Sequence, residues 1–171
     1  PFGSVAWRVH ALSGLFGALS CALLWSIARR LLKDDLAARV AALGYAFSAV
    51  FWSQAIIAEV YTLNTFFFFL LLLLVLEMAE SEPQAFRRRL RILALVYGLS
   101  LSNHWPLMLL STPALLLPLL PRWRELIRVV PALIPWVLLG LTPYLWMFYR
   151  SQAPGLPFAF HGPIETLEMF C

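Results

Sequence analysis

Long apolar runs separated by short polar segments make up most of this chain. Four of the runs are close to the roughly 20 residues that a helix needs to cross a bilayer. They cover residues 9–27, 36–52, 61–78 and 129–149. A fifth run, at residues 90–120, is too long for one crossing and contains Pro106. Because proline suits the first turn of a helix and not its interior, this run predicts two short helices joined by a turn at residues 103–105.

The composition assigns these helices to a membrane. Hydrophobic residues make up 61% of the chain and charged residues 13%, and the mean hydropathy is +0.79. Ordinary soluble domains carry about 25% charged residues. The sequence therefore predicts an all-α, polytopic membrane helical bundle of about six transmembrane helices at residues 1–150, followed by an extracytoplasmic loop at residues 151–171. Because the chain starts at Pro1 without an initiator methionine, we expect a piece of a longer protein.

Basic residues concentrate in three connecting segments, at residues 29–39, 80–91 and 121–128. These segments hold 11 of the 13 lysine and arginine residues, all except Arg8 and Arg150. Short cytoplasmic loops of membrane proteins are enriched in basic residues, so these three segments are predicted to face the cytoplasm. The polar residues of the opposite ends then face the extracytoplasmic side. Because the basic residues lie between apolar spans, the net charge of +4 does not indicate a nucleic-acid partner.

Residues 51–64 contain the candidate catalytic residue, Glu59. An ionisable group at or near membrane depth is costly and usually faces a cavity, a partner or a substrate. The alternative is a glutamate at the water boundary that caps the next helix. Gln54, Tyr61 and Asn64 lie close by in the sequence, and helical spacing predicts that Glu59, Tyr61 and Asn64 line a wet cavity and bind hydroxyl groups. The alternative is a boundary helix whose polar groups meet water.

Two further pairs of residues are candidates for substrate binding. Asn103 and His104, at the predicted turn, are suited to a phosphate or a sugar, although a lone histidine more often bonds a neighbouring backbone carbonyl. Arg8 and Arg150 carry guanidinium groups that match phosphate oxygens. Alternatively, both arginines are interfacial anchors.

Recognised catalytic motifs are missing from the sequence. It contains no glycine-rich phosphate loop, no HExxH motif, no cysteine and histidine set with metal-ligand spacing and no serine nucleophile elbow. The residues predict no metal site. The residues by themselves are compatible with three classes of protein: an enzyme, a transporter or flippase, and a structural subunit of a membrane complex.

Several stretches, taken in order, resemble the transmembrane protein 260 family of protein O-mannosyltransferases. The most specific are AEVYTLN at residues 58–64 and GLSLSNH at residues 98–104, and others are PFGSVAWRV at 1–9, LTPY at 141–144 and GPIETLE at 162–168. The resemblance covers nearly the whole chain and implies a membrane glycosyltransferase of the C-type fold. His10 departs from the family pattern, which has asparagine there.

The resemblance implies transfer of a sugar, with mannose as the candidate, from a polyprenyl-phosphate carrier to a protein or glycan acceptor on the extracytoplasmic face. The lipid-linked sugar is the donor substrate, membrane lipid surrounds the protein, and no cofactor is implied. Arg8 and Arg150 are the candidates for binding the donor phosphate. Inverting transfer needs a carboxylate base. The family's expected base precedes Pro1, so Glu59 is the candidate within this sequence.

The location is predicted to be a bacterial inner membrane in preference to the endoplasmic reticulum, because the loops are short. The rival function, a transporter or flippase for a lipid-linked or small polar substrate, predicts internal repeats and discontinuous helices. The sequence has one evident interruption, at residues 103–106, and no convincing repeat.

Overall fold

A computed structural model of the protein describes residues 4–57 and 60–152, and that part of the chain contains helices and no strands. The elements are α1 (Val5–Leu32), α2 (Asp35–Ala46), α3 (Ala49–Ala55), α4 (Tyr61–Ala79), α5 (Pro83–Leu116), a short 3₁₀ helix (Leu117–Arg122), α6 (Trp123–Gly140) and α7 (Thr142–Ser151). The predicted all-α class is confirmed.

Local side chains determine where the helices begin. Ser4, Asp34 and Ser48 precede α1, α2 and α3, and each side-chain oxygen accepts a hydrogen bond from the backbone N–H three residues later. Such caps satisfy amides that have no partner within the helix. Pro83 occupies the start of α5, where its missing N–H costs nothing.

The predicted span at residues 36–52 is wrong as a single helix. It divides into α2 and α3, whose axes differ by 61°. The break lies at Phe47 and Ser48, because the Ser48 side chain caps α3 and its hydroxyl also donates to the Tyr45 carbonyl at 2.8 Å. The resulting bend of α3 relative to α2 forms one wall of a pocket described below.

The chain reverses direction within α5, at His104. His104 has non-helical backbone angles, with φ −153° and ψ 80°. The Tyr97 and Thr112 hydroxyl oxygens lie 2.5 Å apart although the residues are 15 positions apart. In a continuous helix that separation would span about 22 Å. The predicted pair of short helices with a turn at residues 103–105 is therefore confirmed, and we call them the first and second arms of α5.

The helices pack in the lateral order α2, α1, α4, α5 and α6. Two apolar clusters lie between α4, the arms of α5 and the 3₁₀ helix. One consists of Val75, Met78, Phe86, Leu90 and Leu119, and the other of Leu71, Met108 and Leu115. Large apolar side chains also cover the outer surface, for example Val50 and Leu110, each 77% exposed. Such a surface suits contact with lipid.

Three stretches are long and apolar enough to cross a membrane, and the bent pair of α2 and α3 is a possible fourth. These stretches are Val5–Leu32, Tyr61–Ala79 and Pro83–Ser151, and the last contains α5, the 3₁₀ helix, α6 and α7. Several helices able to span a membrane are thus present, as expected, and the count of six stays a prediction. The predicted span at 129–149 is interrupted at Leu141, between α6 and α7.

The closest approach of two helix backbones joins α5 and α6. A Cβ atom added to Gly98 would lie 2.3 Å from the Val137 carbonyl oxygen, and one added to Gly140 would lie 2.4 Å from the Leu95 carbonyl oxygen. No side chain larger than hydrogen fits at either position without moving a backbone. The two glycines therefore allow the first arm of α5 to pack directly on α6.

The three basic segments meet at one end of the bundle, which we call the basic end. Arg30 forms a 2.6 Å ion pair with Glu80, and Arg122 donates a 2.7 Å hydrogen bond to the Ser81 carbonyl. These contacts join residues from segments 29–39, 80–91 and 121–128. The prediction that the segments share one end is confirmed. Their exposure to the cytoplasm stays a prediction.

Candidate functional site

The opposite end of the bundle brings together several of the predicted site residues. The Asn103 amide donates a 3.2 Å hydrogen bond to the Val60 carbonyl, and the rings of Tyr61 and His104 have centroids 6.3 Å apart. The reversal within α5 therefore lies beside the first residues of α4. We call the region around Val60, Tyr61, Asn103 and His104 the polar end.

A pocket of about 210 Å³ lies between α3 and α4, in the bend that separates α2 from α3. We call it the elbow pocket. It contains two of the predicted residues, Gln54 and Tyr61. The complete lining is Tyr45, Ser48, Val50, Phe51, Gln54, Tyr61, Thr62 and Thr65. Most of these side chains carry a hydroxyl or an amide and none is charged, although the Ser48 and Thr65 hydroxyls already bond backbone carbonyls. The pocket therefore suits a neutral ligand that combines apolar surface with a few hydroxyl groups.

Four buried polar atoms in this region have no hydrogen-bond partner among the residues that the structure describes. They are Gln54 Oε1, Thr62 Oγ1, Asn64 Oδ1 and His104 Nδ1. A buried polar group without a partner costs about 1–3 kcal/mol, so such atoms normally bind water or a ligand. A hydroxyl group both donates and accepts hydrogen bonds, so it can partner any of the four.

The predicted arginines, Arg8 and Arg150, do not line the elbow pocket, and their proposed role at the donor phosphate stays a prediction. Arg8 lies in the exposed first turn of α1 and Arg150 in the exposed end of α7. No hydrogen bond or ion pair within residues 4–57 and 60–152 joins either guanidinium to the polar end. Glu59 lies outside the described residues, as does most of the predicted loop at 151–171.

The sequence analysis missed the hydroxyl-bearing residues that complete the elbow pocket. Tyr45 and Ser48 are three positions apart, as are Thr62 and Thr65, and Thr62 is only 2% exposed. The sequence feature that could have indicated these residues is the three-residue spacing of hydroxyl groups within apolar runs. What the spacing could not show is that the break between α2 and α3 and the first turns of α4 present the two pairs to the same space.

Carboxylate groups in the described part of the chain all belong to the basic end. These are Asp34, Asp35, Glu77, Glu80, Glu82 and Glu125, and the other three in the sequence, Glu59, Glu165 and Glu168, lie outside the described residues. Within residues 4–57 and 60–152 no three histidine, cysteine or acidic side chains are arranged to hold a metal ion. The described groups of the polar end are therefore suited to binding and orienting hydroxyl groups.

Comparisons with known proteins identify the family of this chain. Residues 1–126 match the family described as the Protein O-mannosyl-transferase TMEM260 N-terminal domain. Protein O-mannosyl-transferase TMEM260 of Mus musculus is 34% identical over 160 residues, which are 90% of this chain and 23% of the mouse protein. The chain thus spans about a quarter of the length of this curated relative. No solved structure matches the chain. The chain belongs to the TMEM260 N-terminal domain family.

Proposed function

We propose that this chain forms part of a membrane glycosyltransferase, which transfers mannose from a polyprenyl-phosphate carrier to a protein or glycan acceptor on the extracytoplasmic face. Membership of the family supports the transferase activity, and the name of the mouse relative supports mannose and a protein acceptor. The apolar helices support a membrane location. The choice of a bacterial inner membrane over the endoplasmic reticulum stays a prediction.

The observation that carries this proposal is the concentration of neutral polar groups at one end of the bundle. The elbow pocket and four of the six buried polar atoms without a partner in the described residues lie there, whereas the basic groups lie at the other end together with the remaining two, Trp25 Nε1 and Arg30 Nε. A sugar presents hydroxyl groups that both donate and accept hydrogen bonds. In this proposal Gln54, Tyr61 and Asn64 bind the sugar hydroxyls, and Asn103 and His104 hold the neighbouring part of the substrate.

The proposed reaction exchanges one bond at the anomeric carbon of the sugar. The acceptor hydroxyl oxygen attacks this carbon, the bond to the carrier phosphate oxygen breaks, and the phosphate leaves with the bonding electrons. A base takes the proton of the acceptor hydroxyl. Glu59 is the candidate for this base, and Arg8 and Arg150 are the candidates for balancing the phosphate charge. The proposal includes no metal ion or organic cofactor.

Glu59→Gln in the full-length protein should lower mannose transfer by about a hundredfold or more, because an amide cannot accept the proton. The measurement is transfer of radiolabelled mannose from polyprenyl-phosphate mannose to protein in reconstituted vesicles. Glu82→Gln is the matched control, since Glu82 is an exposed carboxylate at the basic end without a side-chain capping bond. Equal turnover in the two variants would remove Glu59 from the reaction.

The extracytoplasmic position of the polar end can be measured with single cysteines. Trp105→Cys, at a residue 43% exposed, should react with an impermeant thiol reagent added outside intact cells. Arg88→Cys, exposed at the basic end, should react only after the cells are opened. Both changes are made after Cys21→Ala and Cys171→Ser. The reverse pattern of labelling would contradict the proposed orientation.

A transporter or flippase is the second candidate, because helices beside the candidate site are interrupted at two places. These are the 61° bend between α2 and α3 and the break at His104. Discontinuous helices often form substrate sites in transporters. Vesicles that contain the labelled donor distinguish the functions, because a transferase moves label to protein, whereas a flippase changes only the leaflet that holds the lipid. If polar-end variants alter neither process, a structural role is favoured.

A further inference from the structure

A second polar concavity lies at the basic end, between the last turns of α1 and the first turns of α2. Its volume is about 550 Å³, and its lining is Trp25, Arg29, Lys33, Asp35 and Arg39. We propose that this concavity binds the phosphate headgroup of an anionic phospholipid from the adjacent leaflet. The inference is independent of sugar transfer, since the polar end lies at the other end of the bundle.

The charges around the concavity leave two cations without a carboxylate partner. Arg39 pairs with Asp35 at 2.6 Å. Asp34 accepts a hydrogen bond from the Ala37 backbone N–H and caps α2. Among the described residues, neither Arg29 nor Lys33 forms an ion pair. Three cations against one carboxylate leave an excess of positive charge, which an external anion would balance.

Lys33 occupies an unusual backbone position for a charged residue. It ends α1 with φ 55° and ψ 23°, in the left-handed region, where glycine is the usual residue. Among the described residues other than glycine, it is the only one with positive φ. Lysine is less favourable than glycine at this position, yet it places an ammonium group in the lining of the concavity.

Exposed leucines next to the cations favour a lipid over a soluble anion. Leu31 and Leu32 precede Lys33 and are 61% and 54% exposed, and Leu36 follows Asp35 and is 72% exposed. Acyl chains would cover these leucines while the phosphate reaches the cations. A free phosphate ion would leave the leucines uncovered.

The aromatic member of the lining also fits the membrane surface. The Arg29 guanidinium carbon lies 5.4 Å from the centroid of the Trp25 ring. Tryptophan and arginine are common at membrane interfaces, and a guanidinium group binds phosphate oxygens with two parallel hydrogen bonds. The contact between Trp25 and Arg29 therefore fits a concavity that binds a lipid phosphate.

Native mass spectrometry of the full-length protein in detergent micelles tests the proposal, with phosphatidylglycerol and phosphatidylcholine added in turn. Wild-type protein should bind phosphatidylglycerol more tightly. The double variant Arg29→Gln/Lys33→Gln should weaken that binding by about thirtyfold, from the usual contribution of two basic residues. Arg124→Gln/Arg128→Gln is the matched control, because both arginines are exposed at the same end but do not line the concavity. It should bind as wild type does.

Lys33→Gly separates the charge from the folding of the helix end. It removes the ammonium group and places glycine where the backbone favours it, so lipid affinity should fall without loss of thermal stability. An equal loss of affinity in the control pair would mean diffuse attraction to the whole basic end and would overturn the site. Displacement of phosphatidylglycerol by millimolar inorganic phosphate would assign the site to a free anion. Equal binding of the two lipids would also refute the proposal.

Discussion

Gly98→Ala should lower the free energy of unfolding by about 3 kcal/mol or more, although it adds a single methyl group. The new Cβ would lie 2.3 Å from the Val137 carbonyl oxygen and 3.0 Å from the Gly140 Cα. Both of these atoms belong to backbone, so no side-chain rotation relieves the clash. The first arm of α5 and α6 would have to separate, which exposes the contact between them. Denaturant titration of the purified protein in detergent, followed by circular dichroism, measures the change.

Gly44→Ala is the matched control for this prediction, and its effect should have the opposite sign. Gly44 lies inside α2, and a Cβ atom there would meet no atom within 4 Å. Alanine is favoured over glycine in a helix interior by about 0.5–1 kcal/mol. The same change from glycine to alanine should thus stabilise α2 at Gly44 and disrupt the contact between α5 and α6 at Gly98. Similar effects of the two substitutions would show that α5 and α6 do not pack through Gly98.

Arg122→Ala should lower the free energy of unfolding by about 2 kcal/mol, because a charged hydrogen bond to a backbone carbonyl and the packing on a buried ring depend on this one side chain. The guanidinium group donates to the Ser81 carbonyl at 2.7 Å, the Met78 carbonyl at 3.4 Å and the Glu125 carboxylate at 2.9 Å. It also lies 3.8 Å from the centroid of the buried Phe86 ring. The Arg122 side chain is only 15% exposed, whereas Glu125 is 48% exposed, so the carbonyl and ring contacts contribute more than the ion pair. Alanine would remove the guanidinium donor of the Ser81 carbonyl and of the Glu125 carboxylate, whereas the Met78 carbonyl would keep the Ser81 backbone N–H and hydroxyl as donors.

Two further substitutions show whether charge or geometry is responsible. Arg122→Lys keeps the positive charge but loses the planar guanidinium, so its stability should lie between those of wild type and Arg122→Ala. Arg124→Ala removes an exposed arginine two residues away and should change stability by less than about 0.5 kcal/mol. Thermal unfolding of the three variants in one detergent provides the comparison. If Arg122→Ala were as stable as Arg124→Ala, the anchoring role of Arg122 would be refuted.

The sequence predicted the helices and the reversal within α5 because both depend on local properties. Apolar length indicated α4 almost to the residue, and Pro106 indicated the turn at residues 103–105. The break between α2 and α3 was missed because a single serine, Ser48, produces it within an apolar run. Length and hydropathy do not reveal a helix cap of this kind.

The candidate site was predicted in part, for a related reason. The sequence predicted only that Asn103, His104 and Tyr61 lie on the same side of the membrane. In the structure the His104 and Tyr61 rings have centroids 6.3 Å apart, and the Asn103 amide bonds the carbonyl of Val60, next to Tyr61. The elbow pocket was not predicted, since it depends on how α3 and α4 face each other. The sequence grouped Arg8 and Arg150 with the site only because both are predicted to lie on the same side of the membrane as the other candidates. A shared side of the membrane does not specify the distance between two residues.

The reversal at His104 also determines the electric field at the polar end. The second arm of α5 begins there, as does α4, so the positive poles of two helix dipoles point toward this end of the bundle. The first arm of α5 ends at the same place and contributes a negative pole beside them. None of the four residues that define the polar end carries a formal charge when His104 is neutral. The α3 helix also ends beside the elbow pocket, so two positive and two negative poles meet in this region and largely offset one another. The peptide groups thus leave the polar end close to neutral, which suits an uncharged sugar better than an isolated anion.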